Sequence, residues 1–377
     1  MSWFLTSFFL IFGGVHLYAF IKWRSALNPG IIATIITALL MVLMVAAPVL
    51  VRLAERGGHT SLARCLAYIG YSWMGIIFLF FSASLTVDFL KLVFSLTARF
   101  LRNPAHFPVS PFASFIIPLM IAFISAGYGF FEGNHIVTEH ITVMSEKISM
   151  ENSPIKIVQI SDLHLGLIER EGRLKKVVDI IMKEKPDLLV STGDLVDGQM
   201  YDMESLALLF RKVSPRFGMY AVTGNHEFYA GLPQSIEFTE KCGFTLLRGK
   251  GIEGIINVAG IDDPAGRYYD LDPGKEEGEI LSTLPGDRFT LLLKHRPLIN
   301  HEPGRKADLQ LSGHTHKGQI FPFRILTKVY YPRDSGLYRD DDGTQMYVSR
   351  GTGTWGPPMR ILSPPEITVI TLVHKGD

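Results

Sequence analysis

The stretch IKIVQISDLHLG, residues 155–166, decides how the second half of the chain is read. It opens as a short apolar run with β-branched residues, the composition of a strand, and closes on Asp162 and His164, two positions apart. Downstream, EGRLKKVVDIIMKEK (171–185) sets Leu174, Val177, Val178 and Ile181 on one helical face, and Pro186 stops it before DLLVSTGD at 187–194. The order is strand, helix, strand. It repeats through SLALLFRKV (205–213) as helix and GMYAVTGNHE (218–227) as strand and turn. Later runs read as strands with few helices between them: IINVAGI (255–261), FTLLLKH (289–295), ADLQLSGH (307–314), QMYVSRG (345–351) and EITVITL (366–372). An α/β domain of two packed sheets flanked by helices fits this pattern.

The first half is of another kind. Across 377 residues, 47% are apolar and 19% charged, too apolar for an ordinary soluble chain of this size. Four segments account for it: residues 2–21, 30–51, 66–87 and 112–131 each run about 20 residues with almost no charge, the length that crosses a bilayer core. They are read as four transmembrane helices, giving a domain at 1–131, a linker at 132–154 with a strand near 140–148, and the α/β domain at 155–377. A signal peptide is the alternative for the first segment, but it lacks a basic n-region, its apolar run is long, and three similar segments follow. His16 is expected to reach the interface from near the end of its segment. Asp88 is expected to pair with Lys91 three residues on.

Charge separates the halves further. Residues 1–131 carry eight Lys and Arg against two Asp and Glu, whereas the remainder carries 29 against 34. An acidic second half argues against nucleic acid as a partner, because phosphate backbones call for clustered cations. Two cysteines, Cys65 and Cys242, make neither a disulfide framework nor a cysteine-rich zinc site. Lys and Arg number two in the first loop, three in the second and three around the third, a count that leans towards an extracytoplasmic second domain in a multi-pass cell-membrane protein.

Polar residues follow the strands at regular places. They are Asp162 and His164 in SDLHLG, Asp194 in TGDLVDG, Asn225 and His226 in TGNHE, His295 in LLLKHRP, and His314 and His316 in SGHTH. Sites form at the carboxyl ends of strands in open α/β sheets, so residues distant in sequence can converge there. Carboxylate, amide and imidazole donors together suit Mn, Fe or Zn, whereas Ca or Mg sites use mainly oxygen. Singly, each fragment is a common turn or a surface histidine.

In this order the five fragments resemble the calcineurin-like metallophosphoesterase family, with motifs D-x-H, GD-x-x-D, GNH-E, a lone His and GH-x-H. The resemblance runs from about residue 155 to 373, and YVSRGTGTWGPPMRILSPPEI (347–367) resembles a bacterial membrane-associated subgroup, some of whose members act on lipid-linked substrates. It implies a four-layer αββα sandwich with two divalent transition-metal ions at its rim. Asp162, His164 and His316 would hold one ion, Asn225, His295 and His314 the other, and Asp194 would bridge them. Metal-activated hydroxide would attack phosphorus, and His226 would give a proton to the leaving oxygen, with Asp197 and Glu227 orienting histidines. Lys317 stands where many relatives have glycine and either meets a substrate phosphate or points to water.

The expected function is therefore hydrolysis of a phosphate ester, phosphodiester or pyrophosphate, with a lipid-linked substrate and the lipid bilayer as partners. Phe321, Phe323, Tyr330, Tyr331 and Trp355 line an acyl route in that reading, or belong to the core. A non-catalytic sensor or scaffold and an amidohydrolase are the competing readings. The first would reveal itself by lost ligands, and none is lost.

Overall fold

In the computed structural model the described residues are 2–102, 107–198, 203–269, 275–300, 304, 306–340 and 343–376. The chain divides into two compact units, Met1–Phe131 with Gly356–Met359, and Glu132–Trp355 with Arg360–Asp377.

The first unit is helical. Helices α1 (Ser2–Leu27), α2 (Ile31–Arg56), α3 (Thr60–Phe100) and α4 (Pro111–Asn134) are each long and apolar enough to cross a membrane. At 1.5 Å per residue the 41 residues of α3 extend about 60 Å, twice a hydrocarbon core. Two expectations fail here. His16 is buried inside the bundle: α1 continues to Leu27, and the ring is held by the Phe12 carbonyl (2.8 Å) and by the indole of Trp73, which donates to Nε2 (2.8 Å). Asp88 takes its bonds from α1, where Tyr18 Oη donates at 2.6 Å and Lys22 is its ion-pair partner, while Lys91 donates to Ser114 at 2.6 Å. Away from water, a partner on a neighbouring helix outcompetes the neighbour along the same helix.

The second unit is built on two six-stranded sheets. The first, in the order β1-β12-β2-β3-β4-β5, contains β1 (Val137–Ser145), β2 (Ile155–Ile160), β3 (Leu188–Ser191), β4 (Met219–Ala221), β5 (Thr245–Leu246) and β12 (Glu366–His374). The second, in the order β10-β11-β9-β8-β7-β6, contains β6 (Lys250–Ile252), β7 (Asn257–Gly260), β8 (Thr290–Leu293), β9 (Leu309–Ser312), β10 (Gly336–Arg339) and β11 (Gln345–Val348). Residues 132–154, expected as a linker with a strand, supply β1 to the first sheet and fall in this unit. β12 lies between β1 and β2, parallel to one and antiparallel to the other.

Alternation along β2 shows how the layers form. Ile155 and Ile157 pack with Leu291, Leu293, Leu309 and Leu311 of the second sheet, whereas Val158 and Ile160 pack with Leu174, Val177 and Ile181 of α5 (Glu171–Glu184). Both faces are buried, which is why the strand reads as a near-continuous apolar run. Helices α6 (Met203–Phe210), α7 (Asn225–Ala230) and α8 (Leu232–Lys241) follow, and Phe210 and Phe238 join the same outer cluster as α5. On the far side Ile280 and Leu281 of α9 (Glu277–Thr283) cover Ala259 and Leu292. The result is the αββα arrangement. A last helix, α10 (Arg324–Tyr330), follows the second pair of site histidines. Full burial of each such side chain is worth about 1.5–3 kcal/mol.

Candidate metal centre

Strands β2, β3 and β4 run parallel side by side, as do β8 and β9, so their carboxyl ends line up at two sheet edges. Asp162 and His164 follow β2, Asp194 follows β3, Asn225 and His226 open α7 after β4, His295 follows β8, and His314 and His316 follow β9. The two edges meet: the backbone N–H of His314 donates to both carboxylate oxygens of Asp162, at 3.0 and 3.1 Å.

Two donor sets result. Asp162, His164 and His316 form one, Asp194, His295 and His314 the other, with the ligand atoms of each set within 4.8 Å of one another. His164 Nε2 and His316 Nε2 lie 3.1 Å apart, as do His314 Nδ1 and His295 Nε2. Asp194 sits between the sets, its Oδ2 3.8 Å from His164 Nε2 and 3.2 Å from His295 Nε2. His226 forms a third group with His164 and Asp194. All the candidates are buried except His314, which is half-buried.

The backbone is bent to achieve this. Of the eleven described non-glycine residues with positive φ, five are Asp162, His164, Asp194, His314 and His316. A non-glycine residue in this region is strained by about 1–3 kcal/mol, and such strain concentrates at functional sites. Close approach does the rest: a Cβ on Gly313 would lie 1.9 Å from Ser161 Oγ and 2.2 Å from Asp162 Oδ2.

The surroundings fix protonation and orientation. His295 places Nδ1 2.8 Å from the Thr192 carbonyl, which assigns a proton to Nδ1 and turns Nε2 towards Asp194 Oδ2. Burial opposes charge on His295, but Asp194 outweighs it and raises its pKa to about 10. For His226, too, burial is outweighed, by Asp194 and by Asp197, whose Oδ1 lies 2.9 Å from Nδ1, and the pKa rises to about 9. Burial drives His316 the other way, to about 4, and His314 to about 3 with the His295 charge adding to the effect. Burial of Asp162 is outweighed by the His316 and His295 charges, and it stays ionised well below the usual carboxylate range.

Glu227 has a different task from the expected one. Its carboxylate accepts from the backbone N–H groups of Asp194 (3.0 Å), Leu195 (2.8 Å) and Gly224 (2.6 Å), so it shapes the loop that carries Asp194 and touches no histidine ring nitrogen. Asp197 does orient a ring, its Oδ1 lying 2.9 Å from His226 Nδ1, while His164 Nδ1 is 3.6 Å away and without a hydrogen bond. Lys317 is half-buried at φ 50°, a conformation glycine adopts without strain. Burial and the Arg324 and Arg350 charges lower its pKa.

Arg360 was not singled out by sequence. It is fully buried, donates to His316 Nδ1 at 2.9 Å and to the Arg350 carbonyl at 2.7 Å, and also holds the Gly353 carbonyl. An arginine between apolar residues in PPMRIL was the available signal. Of the proposed aromatic lining, Tyr331 packs 5.2 Å from the His314 ring and Trp355 5.8 Å from that of His226, while Phe321, Phe323 and Tyr330 are exposed.

The donors suit a cation pair. Asn225 Oδ1 is buried without a hydrogen-bond partner, a costly state that a metal ligand would relieve. Carboxylates and imidazoles within 4.8 Å of one another fit borderline divalent ions.

Residues 155–318 match the family model for calcineurin-like phosphoesterases. A metallophosphoesterase of Aquifex aeolicus (strain VF5) is 39% identical over 263 residues, 69% of this chain and all of that protein. A Danio rerio transmembrane protein with a metallophosphoesterase domain is 32% identical over 69% of this chain and 63% of its own length. Among solved structures, a dimetal phosphatase from Danio rerio aligns over 52% of this chain and 87% of that one, with TM-score 0.37 and 13% identity.

Proposed function

Because the chain belongs to the calcineurin-like phosphoesterase family of metal-dependent phosphoric ester hydrolases, we propose that it cleaves a phosphate ester, phosphodiester or pyrophosphate of a lipid-linked substrate at the membrane its helices span. Asp162, His164 and His316 would hold one divalent ion, Asn225, His295 and His314 a second, and Asp194 would serve both. When bound, the ions supply Lewis acidity that lowers the pKa of water and neutralises phosphoryl charge.

The chain's own residues do the rest. Asp162 is preorganised by the His314 N–H, and Asp194 Oδ1 by the His226 N–H at 2.8 Å. His226, its Nδ1 held by Asp197 Oδ1 at 2.9 Å, offers Nε2 to the leaving oxygen. Arg360 anchors the His316 ring, and Trp355 packs against His226. A ligand role for His226 is also favoured by its grouping with His164 and Asp194. Metal content of His226→Ala separates the two: a proton donor leaves both ions in place.

The observation that carries the reading is the convergence of both donor sets in one buried cluster, in a chain with four apolar helices. The relatives named as transmembrane proteins support the membrane part. We place the second unit outside the cytoplasm from the loop charges, and protease added to right-side-out vesicles should then cleave it. Full-length protein in nanodiscs, loaded with Mn or Zn, is to be assayed on lipid phosphates, lipid pyrophosphates and a soluble aryl phosphodiester. Lipid compounds should give the larger kcat/KM; preference for the soluble compound would overturn the lipid assignment while leaving the hydrolase intact.

A further inference from the structure

From Phe321 to Tyr330 the second unit exposes six large apolar side chains in ten residues. Phe321, Phe323, Ile325, Leu326, Val329 and Tyr330 are between 45% and 79% exposed. Other exposed apolar residues of this unit, such as Met144, Met182, Leu208 and Ile255, stand apart from one another in sequence. Isolated residues of that sort need no explanation, whereas a contiguous patch marks an interaction surface.

The patch is held in place. α10 buries only Thr327, but Arg324 Nε is paired at 2.6 Å with the fully buried Asp334, whose carbonyl accepts from Thr315 Oγ at 2.6 Å. The helix is thereby tied to the loop carrying His314 and His316, and Tyr331 at its end packs on the His314 ring. A Cβ on Gly318 would meet Arg324 Cα at 2.4 Å, so loop and helix touch at the backbone. In FPFRILTKVY the only charged residues are Arg324 and Lys328.

We propose that this segment contacts a lipid bilayer, setting its apolar side chains into the boundary between headgroups and acyl chains. Lipid is the occupant the chain makes constantly present. Four of its helices are long and apolar enough to span a bilayer, and only two residues separate α4 at Asn134 from β1 at Val137. Arg324 is neutralised by Asp334, and Lys328 remains to meet anionic headgroups, which attract a nearby Lys or Arg by about 1 kcal/mol. Six apolar side chains without a span suit a surface that lies in the interface rather than crosses it. The metal ligands at 314 and 316 are then fastened to the element that meets the lipid. This contact does not require the substrate to be a lipid, and the test keeps the two apart.

The full chain carrying Cys65→Ser is used, with the buried Cys242 left in place. An environment-sensitive fluorophore is attached at Val329→Cys or, as the control, at Glu237→Cys on the exposed side of α8. Each protein is placed in nanodiscs of phosphatidylcholine and phosphatidylglycerol with nitroxide-bearing acyl chains. The probe at 329 should be quenched by the lipid nitroxide and shielded from aqueous iodide, and the probe at 237 should behave oppositely. Equal iodide access at both positions, or shielding from iodide at 329 without quenching by the lipid nitroxide, would overturn the proposal, the latter by naming protein as the occupant. Lipid quenching at 329 in an enzyme that turns over no lipid phosphate would uphold the surface and reject only the lipid-linked substrate.

Discussion

Buried polar groups are arranged differently in the two units. Within the helical unit the ionisable side chains Asp88, His16 and Lys91 have protein partners: Lys22 and Tyr18, Trp73 and the Phe12 carbonyl, and Ser114. At the site of the second unit, carboxylates and imidazoles that can each bind a cation are turned on one another. Imidazole nitrogens face each other at 3.1 Å, carboxylates crowd beside them, and Asn225 Oδ1 has no partner. A polar group satisfied inside the fold holds the fold together. One left facing other donors of electron pairs is waiting for a cation.

The contrast can be broken most severely at Asp194. Asp194→Asn should remove both ions, because it withdraws charge from both donor sets, and activity should drop to background. Metal analysis retaining about two ions per chain, the two-metal number, would refute the shared role. His226→Ala should cost about 10²–10⁴ in kcat, the usual value of a positioned proton donor, with metal content intact.

A gentler perturbation is pH. The neighbouring Asp194 holds a proton on His295 up to about pH 10 after burial is overcome, and an ion must displace that proton. Metal affinity should therefore climb about tenfold per pH unit below that point, as measured by competition with a buffered chelator. An affinity flat from pH 6 to 8 would mean that His295 is not displaced.

The smallest effect belongs to the helical unit. Asp88→Asn removes a charge from a group with protein partners, so stability in the membrane should fall by about 0.6 kcal/mol and at most about 1.7. Metal content should not move. A loss of metal in this variant would erase the distinction between the units.

Much of this was legible in the sequence. Strand-ending polar groups reveal themselves because a buried strand is apolar and its end is not, so Asp162, Asp194, His295 and the 314/316 pair announced their positions. The helices were legible by length alone. What escaped was pairing across long separations. Lys22 lies 66 residues from Asp88, and nothing local distinguishes it from Lys91. EITVITL was legible as a strand, but its place between β1 and β2 depends on hydrogen bonds made more than 200 residues apart. Arg360 escaped for the same reason, since its meaning depends on His316, 44 residues earlier. β5, with two residues, is too short for a period to show.

The position of β12 bears on how the molecule is made. β1 and β2 are separated by nine residues of chain, yet neither pairs with the other, and the slot between them is filled by a strand that leaves the ribosome after every other strand of the two sheets. Until then the strand bearing Asp162 has one open edge, and β1 has no partner at all. Contacts so distant in sequence form slowly. The nascent protein must therefore shelter an unpaired edge through nearly all of the synthesis of its second unit, with its helices available for insertion long before its chemistry can exist.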